Sequence, residues 1–276
     1  MVQKKNKLGL IITYIGLTVI AAVTLLPLFW MLSASLKLNK DVFTIPIQWI
    51  PKDPQWSNYV KVWEKVPMGI FTFNSFKLTI IITLIQVLTS SFAAYGFAKC
   101  NFKGRDTLFL AYIATISIPW QVYMLPQFIE MRMFKLTNTH LGYILMQSFI
   151  AFGVFLMRQF YLSIPNELLE AARIDGLNEY SVYFRIVLPL SGPSLSTLTI
   201  FSFVTIWNDY MGPMIYFNSQ NLKTIQLGIR MFIGQYSSDY ALIMVASVVA
   251  LIPVIVVFLL FQRYFVQGIA TSGLKG

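Results

Sequence analysis

The chain alternates between long uncharged stretches and short polar segments. Six stretches of at least 21 residues carry no Asp, Glu, Lys or Arg: Leu8–Leu36, Leu78–Ala98, Thr107–Ile129, Leu136–Met157, Ile186–Asn208 and Tyr240–Gln262. The next longest has only 13 residues. A helix needs about 20 apolar residues to cross the roughly 30 Å hydrocarbon core of a bilayer. The pattern therefore predicts six transmembrane helices, at about 9–32, 78–98, 107–129, 138–157, 190–212 and 241–262.

The apolar stretches favour an all-α integral membrane protein. Helices satisfy their own backbone hydrogen bonds in lipid, whereas a transmembrane barrel would show alternating segments of about ten residues, which are not seen. The first apolar stretch exceeds the roughly 7–15 residues of a signal-peptide core, so we interpret it as a retained anchor. We expect one transmembrane domain over residues 1–276, without an appended soluble domain.

Composition supports the same class of protein. Of 276 residues, 57% are hydrophobic and 12% charged, and the mean hydropathy is +0.66. Soluble domains are about one quarter charged, so a soluble enzyme, a disordered chain and a nucleic-acid reader are excluded. The net charge of +10 fits basic loops that flank membrane helices. A single cysteine and a single histidine exclude a Cys/His zinc site, and the sequence contains no GxxxxGK[ST] phosphate loop.

The placement of basic residues indicates the orientation. With the N-terminus inside, 11 of the 21 Lys and Arg residues fall on the cytoplasmic side, in compact clusters beside the first helices. Such clusters weigh most in setting topology. We therefore expect both termini to be cytoplasmic.

The segment at 158–189 has the residue types of two short helices. Pro165 suits a first helical position, and Glu167 complements the dipole of the first helix. Gly176 favours a stop, Asn178 favours a second start, and Pro189 is expected to end the second helix. From spacing alone, this segment could equally be an amphipathic helix lying on lipid.

A longer motif favours a loop of two short helices over an amphipathic helix lying on lipid. Glu170, Ala171 and Ala172, then Gly176 and Ile186–Pro189, have the spacing of the EAA loop of ABC importer permeases, which this sequence resembles. The resemblance covers about residues 80–276 and is greatest for the carbohydrate-uptake branch, which includes the maltose MalG subunit. It rests on five further segments: 94–105, 118–123, 158–165, 207–210 and 268–276.

The resemblance implies a fold and a set of partners. The fold would be that of a type I ABC importer permease in a bacterial-type cytoplasmic membrane. The partners would be a second homologous permease, two ATPase subunits, an extracellular solute-binding protein, membrane lipid and a sugar, with no nucleic acid. This chain would be a non-catalytic subunit without a cofactor, and ATP and Mg²⁺ would bind the ATPase subunits.

The resemblance also implies how the chain would contact the ATPase. The cytoplasmic loop at 158–189 would dock into an ATPase cleft, with Glu170 facing basic residues, Ala171 and Ala172 packing inside, and Asp175 and Gly176 forming the turn. The tail at 263–276 would lie against the ATPase pair, through Gly273, Lys275 and Gly276.

Aromatic and polar residues near the spans are candidates for a substrate path. Aromatic rings cover apolar sugar faces and amides meet hydroxyls, which points to Trp120, Gln121, Tyr123, Trp207, Asn208, Asp209 and Tyr210. Trp and Tyr also form ordinary interfacial belts, and an intramembrane carboxylate can pair within the fold. Both interpretations stay open for each of these residues.

The sequence thus favours a permease subunit of an ATP-driven importer for a sugar or oligosaccharide. An ABC permease for a non-sugar solute is the nearest alternative. A secondary transporter would need intramembrane carboxylates, for which only Asp209 is available. A membrane-embedded enzyme ranks last because no convincing carboxylate pair lies within the spans.

Overall fold

The computed structural model describes residues 7–234 and 238–272, with side chains as far as Arg263. Helices dominate this part of the chain, and it contains a single isolated β-bridge, between Ile233 and Ser238, but no extended strand. The helices are α1 (Lys7–Ser35), α2 (Asn58–Lys65), α3 (Met68–Lys99), α4 (Arg105–Ala114), α5 (Trp120–Met133), α6 (His140–Gln147), α7 (Ala151–Leu162), α8 (Asn166–Ile174), α9 (Glu179–Val182), α10 (Leu188–Leu190), α11 (Gly192–Trp207), α12 (Met211–Tyr216), α13 (Ile225–Arg230) and α14 (Tyr240–Ser272).

Three of these helices are individually long and apolar enough to cross a membrane. They are Lys7–Ser35, Met68–Lys99 and Tyr240–Arg263. Three further candidates are pairs of helices with a bend between them, of 100°, 40° and 80°: Arg105–Ser117 with Trp120–Met133, His140–Gln147 with Ala151–Leu162, and Glu179–Leu190 with Gly192–Trp207. Within the described residues, length and composition therefore allow three spans, or up to six if each bent pair is one span.

The stretch expected as one span at 107–129 is broken near its middle. Ile118 is extended, with φ −90° and ψ 110°, and Pro119 precedes the first residue of α5. The proline ring disfavours a helical conformation at the residue before it. A run of apolar residues thus predicted the location of this segment but not its 100° bend.

The break between α6 and α7 is supported by polar side chains of α3. The Gln86 amide donates to the Gln147 carbonyl at 2.6 Å, and the Thr89 hydroxyl shares its proton between the Ile85 carbonyl of its own helix at 2.8 Å and the Ser148 carbonyl at 3.0 Å. A break frees backbone carbonyls that lipid cannot satisfy. These two bonds supply the missing partners.

The chain forms two compact units. One consists of residues up to Met68 together with Gly228–Leu251. Its core contains Ala34, Val42 and Ala241. The buried Asn58 amide donates to the carbonyls of Ser35 and Lys37 at 3.0 and 2.9 Å, which ties α2 to the end of α1.

The other unit consists of Gly69–Leu227 and the chain from Ile252 onward. Its larger core joins α3, α7 and the segment that follows α7, through residues such as Tyr161, Leu169 and Tyr183. A second core, around Ile82 and Tyr143, joins α3 to α6 and α12. This unit contains the loop and all seven path candidates identified from the sequence.

Candidate functional site

The helix α8 is held at its start by a lysine of α3. Lys99 Nζ lies 2.7 Å from both the Ile164 carbonyl and Asn166 Oδ1. The helix begins at Asn166, and Pro165 is the extended residue before it rather than the first helical residue that the sequence predicted. Glu167 lies in the first turn, where its charge complements the helix dipole.

The turn after α8 has the geometry that the sequence predicted. Gly176 has φ +86°, and its amide donates to the Arg173 carbonyl at 3.0 Å. The Leu177 amide donates to the Ala172 carbonyl at 3.0 Å. This pair of bonds defines a Schellman cap. The Asn178 side chain accepts from the Ser181 amide at 2.9 Å and begins α9.

An ion pair fixes the angle between α8 and α9. Arg173 Nε donates to Glu179 Oε1 at 2.7 Å, and the Tyr95 hydroxyl of α3 donates to Glu179 Oε2 at 2.6 Å. The bond with Glu179 also raises the pKa of the Arg173 guanidinium. The pair is partly exposed, so we attribute to it orientation more than stability.

The helix α8 has a buried face and an exposed face. Leu169 and Ala172, at 1% and 4% exposure, pack into the core of the chain itself. Ala172 is therefore not free to enter a partner's cleft, which corrects that expectation; helix rotation turns its side chain inward with Leu169.

The outward face of α8 combines apolar and acidic groups. Leu168 and Ile174 are 49% and 86% exposed, and Ala171, Glu170 and Asp175 are exposed as well. Among the described residues, Glu170 has no hydrogen-bond or ion-pair partner. An exposed apolar stripe beside an unpaired carboxylate is typical of a docking surface. We call this set of five residues the outward face.

Below α9, a buried hydroxyl cluster anchors the loop. Ser91 Oγ of α3 lies 2.6 Å from the Tyr161 hydroxyl and 2.7 Å from the Tyr183 hydroxyl. Tyr183 begins a five-residue π-helical segment, Tyr183–Val187, before α10. Sequence reasoning missed this cluster, because tyrosines 22 positions apart show no spacing signal. Pro189 lies within α10, and the chain turns at Ser191, two residues later than expected.

The backbone of the tail that we expect to face the ATPase is described only as far as Ser272. The predicted contacts Gly273, Lys275 and Gly276 lie outside the described residues.

Asp209 is held within the fold. Its Oδ2 accepts from the Tyr143 hydroxyl at 2.6 Å and from the Gln147 amide at 3.4 Å, and its Oδ1 accepts from the Gly212 backbone amide at 3.1 Å. These bonds join α6 to the start of α12. Of the two interpretations left open, internal pairing describes this carboxylate.

Two neighbours of Asp209 are also engaged. Trp207 is 1% exposed and stacks on Phe203 with ring centroids 5.8 Å apart. The Asn208 amide donates to the Val204 carbonyl at 2.9 Å. Tyr210 is half-buried.

Trp120 and Tyr123 line a cavity of about 380 Å³, whereas the exposed Gln121 does not. Trp120 Nε1 donates to Gln127 Oε1 at 2.9 Å across the cavity wall. The same wall includes Gln86 and Gln147, which sequence reasoning missed because both lie inside apolar stretches. Within the described residues, no cluster of His, Cys, Asp or Glu could hold a metal ion.

The geometry is that of an all-helical membrane protein with an outward-facing helical loop, and comparison with known proteins identifies its class. Residues 86–271 match the family model described as "Binding-protein-dependent transport system inner membrane component". The chain belongs to this family, and it is an integral protein of the bacterial cytoplasmic membrane.

Individual relatives cover nearly the whole chain. It is 33% identical over 265 residues to the arabinooligosaccharides transport system permease protein AraQ of Halalkalibacterium halodurans, covering 95% of both chains. It is 31% identical to the sn-glycerol-3-phosphate transport system permease protein UgpE of Pectobacterium atrosepticum, covering 97% of this chain and 99% of the relative.

The fold also matches a solved structure. A chain from the crystal structure of a bacterial ABC transporter involved in the import of the acidic polysaccharide alginate superposes with a TM-score of 0.81. The match covers 96% of this chain and 99% of that chain at 23% sequence identity. The chain therefore has the fold of an ABC importer permease.

Proposed function

We propose that this protein is the permease subunit of an ATP-driven importer for a sugar or oligosaccharide. The family membership and the 33% identity to an arabinooligosaccharide permease support this function. The chain itself catalyses no reaction. It forms part of the path for the solute and alternates between outward- and inward-facing states as the ATPase subunits move.

The proposed membrane arrangement has six spans. Each of the three bent helix pairs makes one span beside the three long helices, which gives an even number and leaves both termini in the cytoplasm. The basic residues beside the ends of α1 and α3 favour this orientation. The segment that contains α8 is then cytoplasmic, and the third bent pair enters the membrane from the same side, beginning with α9.

One observation supports a role in coupling: the outward face of α8 is exposed, while the rest of the helix is packed firmly against the core. The buried half of α8, the Schellman turn at Gly176 and the Ser91 cluster fix this helix to α3. A helix fixed in this way transmits a rigid-body displacement, whereas a flexible loop would absorb it. We therefore propose that α8 docks on an ATPase subunit.

The full assembly contains further subunits. It pairs this chain with a second homologous permease, two ATPase subunits that bind ATP and Mg²⁺, and an extracellular solute-binding protein. The family description, a component of binding-protein-dependent transport, supports the solute-binding partner.

The test is to replace Glu170 with lysine in the complete importer. Glu170→Lys reverses a charge of the outward face that has no partner among the described residues, so we expect uptake to fall at least about tenfold, the effect of losing about 1.4 kcal/mol of docking energy. Membrane insertion should be unchanged, because the side chain is exposed. Uptake is measured in proteoliposomes together with co-purification of the ATPase.

Glu64→Lys is the matched control, because Glu64 is also an exposed acidic residue, on α2 and far along the chain from the loop. Uptake at the wild-type rate with Glu170→Lys would overturn the proposed role of α8.

A second candidate is a permease for a phosphorylated polyol. The 31% identity to UgpE over 97% of the chain favours it. It makes the same prediction for Glu170 and differs in the solute, which uptake of labelled sn-glycerol-3-phosphate would reveal.

A further inference from the structure

The cavity beside Trp120 is built around the irregular parts of two bent helix pairs. Its wall includes the end of α6, the break before α7 and the bend between α4 and α5. Irregular backbone at membrane depth is tolerated where it is buried in protein or lines a cavity. The volume of about 380 Å³ lies within the range of roughly 300–1,000 Å³ for small-molecule sites.

The residues that form this wall carry no charge. Among the described residues that line it, the polar side chains are amides and hydroxyls, and none is Asp, Glu, Lys or Arg. The carboxylate of Asp209 lies directly behind the wall, 2.6 Å from the hydroxyl of the lining residue Tyr143. An anion placed here would meet no cation and would lie close to a negative charge, in surroundings that screen charge weakly.

Two residues of the wall, Gln86 and Tyr216, each have a polar atom that has no partner and is buried behind the cavity surface. Gln86 Oε1 and the Tyr216 hydroxyl make no hydrogen bond, although the two residues are only 2% and 3% exposed. Buried polar groups are nearly always paired, so an unpaired one marks a place where a partner is missing. A sugar hydroxyl both donates and accepts, so it would pair with either group once that side chain turns toward the cavity.

The remaining wall suits the apolar faces of sugar rings. Trp120 and Tyr123 offer aromatic surface, and Phe149 adds a ring from the break before α7. The Gln127 oxygen is occupied by Trp120 at 2.9 Å, which leaves its amide hydrogens to donate to a ligand oxygen. Aromatic faces with a few convergent amides are typical of a site that binds a neutral polyhydroxylated molecule.

We propose that this cavity is a subsite of this chain for an uncharged oligosaccharide, and that it discriminates against uronates and phosphate esters. The inference rests on the proposed sugar-import function and specifies the chemistry of the solute. It distinguishes this chain from its relatives named for an acidic polysaccharide and for a glycerol phosphate, which carry anionic solutes.

The experiment uses a cysteine placed in the wall of the complete importer. Cys100 is the only cysteine of the chain, so Cys100→Ser gives a clean background. Ala151→Cys then places a thiol at the cavity, and Ser57→Cys places an exposed control thiol outside it. The complex in nanodiscs is treated with a small maleimide, and modification of this chain is read by mass spectrometry.

Neutral trisaccharides (maltotriose, arabinotriose and raffinose) are compared with trigalacturonate and sn-glycerol-3-phosphate. At least one neutral sugar should protect the cavity thiol as its concentration rises, and neither anion should do so. Trp120→Leu and Gln127→Leu should each raise, by about tenfold, the sugar concentration that halves modification of the cavity thiol. Gln159→Leu, an exposed position of α7, should leave it unchanged.

Uptake by the same preparation separates the two possible failures. If sugar accumulates with ATP but no neutral sugar protects the thiol, or if the anions protect it equally, the subsite is overturned and the proposed function stands. If sn-glycerol-3-phosphate accumulates and no sugar does, the proposed function is wrong, and the subsite that rests on it is wrong as well.

Discussion

Gly176 has a backbone conformation that other residues adopt only at a cost. Its φ of +86° lies in the left-handed region, and a Cβ built at this position would contact nothing within 4 Å. Any penalty for a side chain is therefore conformational and not a clash. This penalty is about 1 kcal/mol for an ordinary residue, and it is smaller for asparagine.

We therefore expect Gly176→Ala to destabilise the turn by about 1 kcal/mol and to reduce coupling of ATP hydrolysis to transport. Gly176→Asn should retain most of both properties. Thermal unfolding of the purified complex and the ratio of ATP hydrolysed to sugar imported measure the two effects. Identical behaviour of the alanine and asparagine variants would show that the left-handed conformation does not matter.

Single residues were predictable where their role is local. Gly176 and Asn178 were identified from residue type because a helix stop and an N-cap depend on the backbone next to them. The burial of Ala172 was not predicted, because it depends on how α8 is rotated against a core made of distant residues. Asp209 stayed ambiguous from sequence because its partner Tyr143 lies 66 positions away.

At the scale of elements, the loop depends on the cluster of Ser91, Tyr161 and Tyr183. One serine hydroxyl bridges two tyrosines from α7 and the π-helical segment to α3, at 2.6 and 2.7 Å. These bonds are fully buried, so removing one partner leaves another hydroxyl unsatisfied.

We expect Tyr183→Phe to cost about 1 kcal/mol of unfolding free energy, and Ser91→Ala to cost more because it affects both tyrosines. In the double variant the two losses should not add, since they share one bond. Denaturation of the detergent-solubilised protein with urea measures the cycle. Strict additivity would mean that the two hydroxyls do not interact.

The broken helices show that an apolar pattern predicts where a segment lies but not where it bends. Charge-free stretches located each candidate segment, because the bilayer core excludes charge whatever the local conformation. The 100° bend at Pro119 had a local signal, since the residue before a proline resists the helix. The 40° break after Gln147 had none, because it depends on Gln86 and Thr89 of another helix.

At the scale of the whole molecule, α1 is the helix whose apolar surface is most exposed in the part of the chain that the structure describes. None of its most apolar 18-residue window is buried, although the mean hydropathy of that window is 2.3. Such a helix needs lipid or another membrane subunit around it. The outward face of α8 is also exposed, with Ile174 at 86% exposure, and in the proposed assembly an ATPase subunit covers it. Both surfaces are accounted for if the chain acts inside a larger assembly.

The most direct test is reconstituted transport. Proteoliposomes containing this chain, its partner permease and the ATPase subunits should accumulate a labelled oligosaccharide only when ATP and the sugar-loaded binding protein are both present. A gradient of protons or sodium alone should drive no uptake. Uptake by this chain without the ATPase, driven by an ion gradient, would contradict the account and identify a secondary transporter.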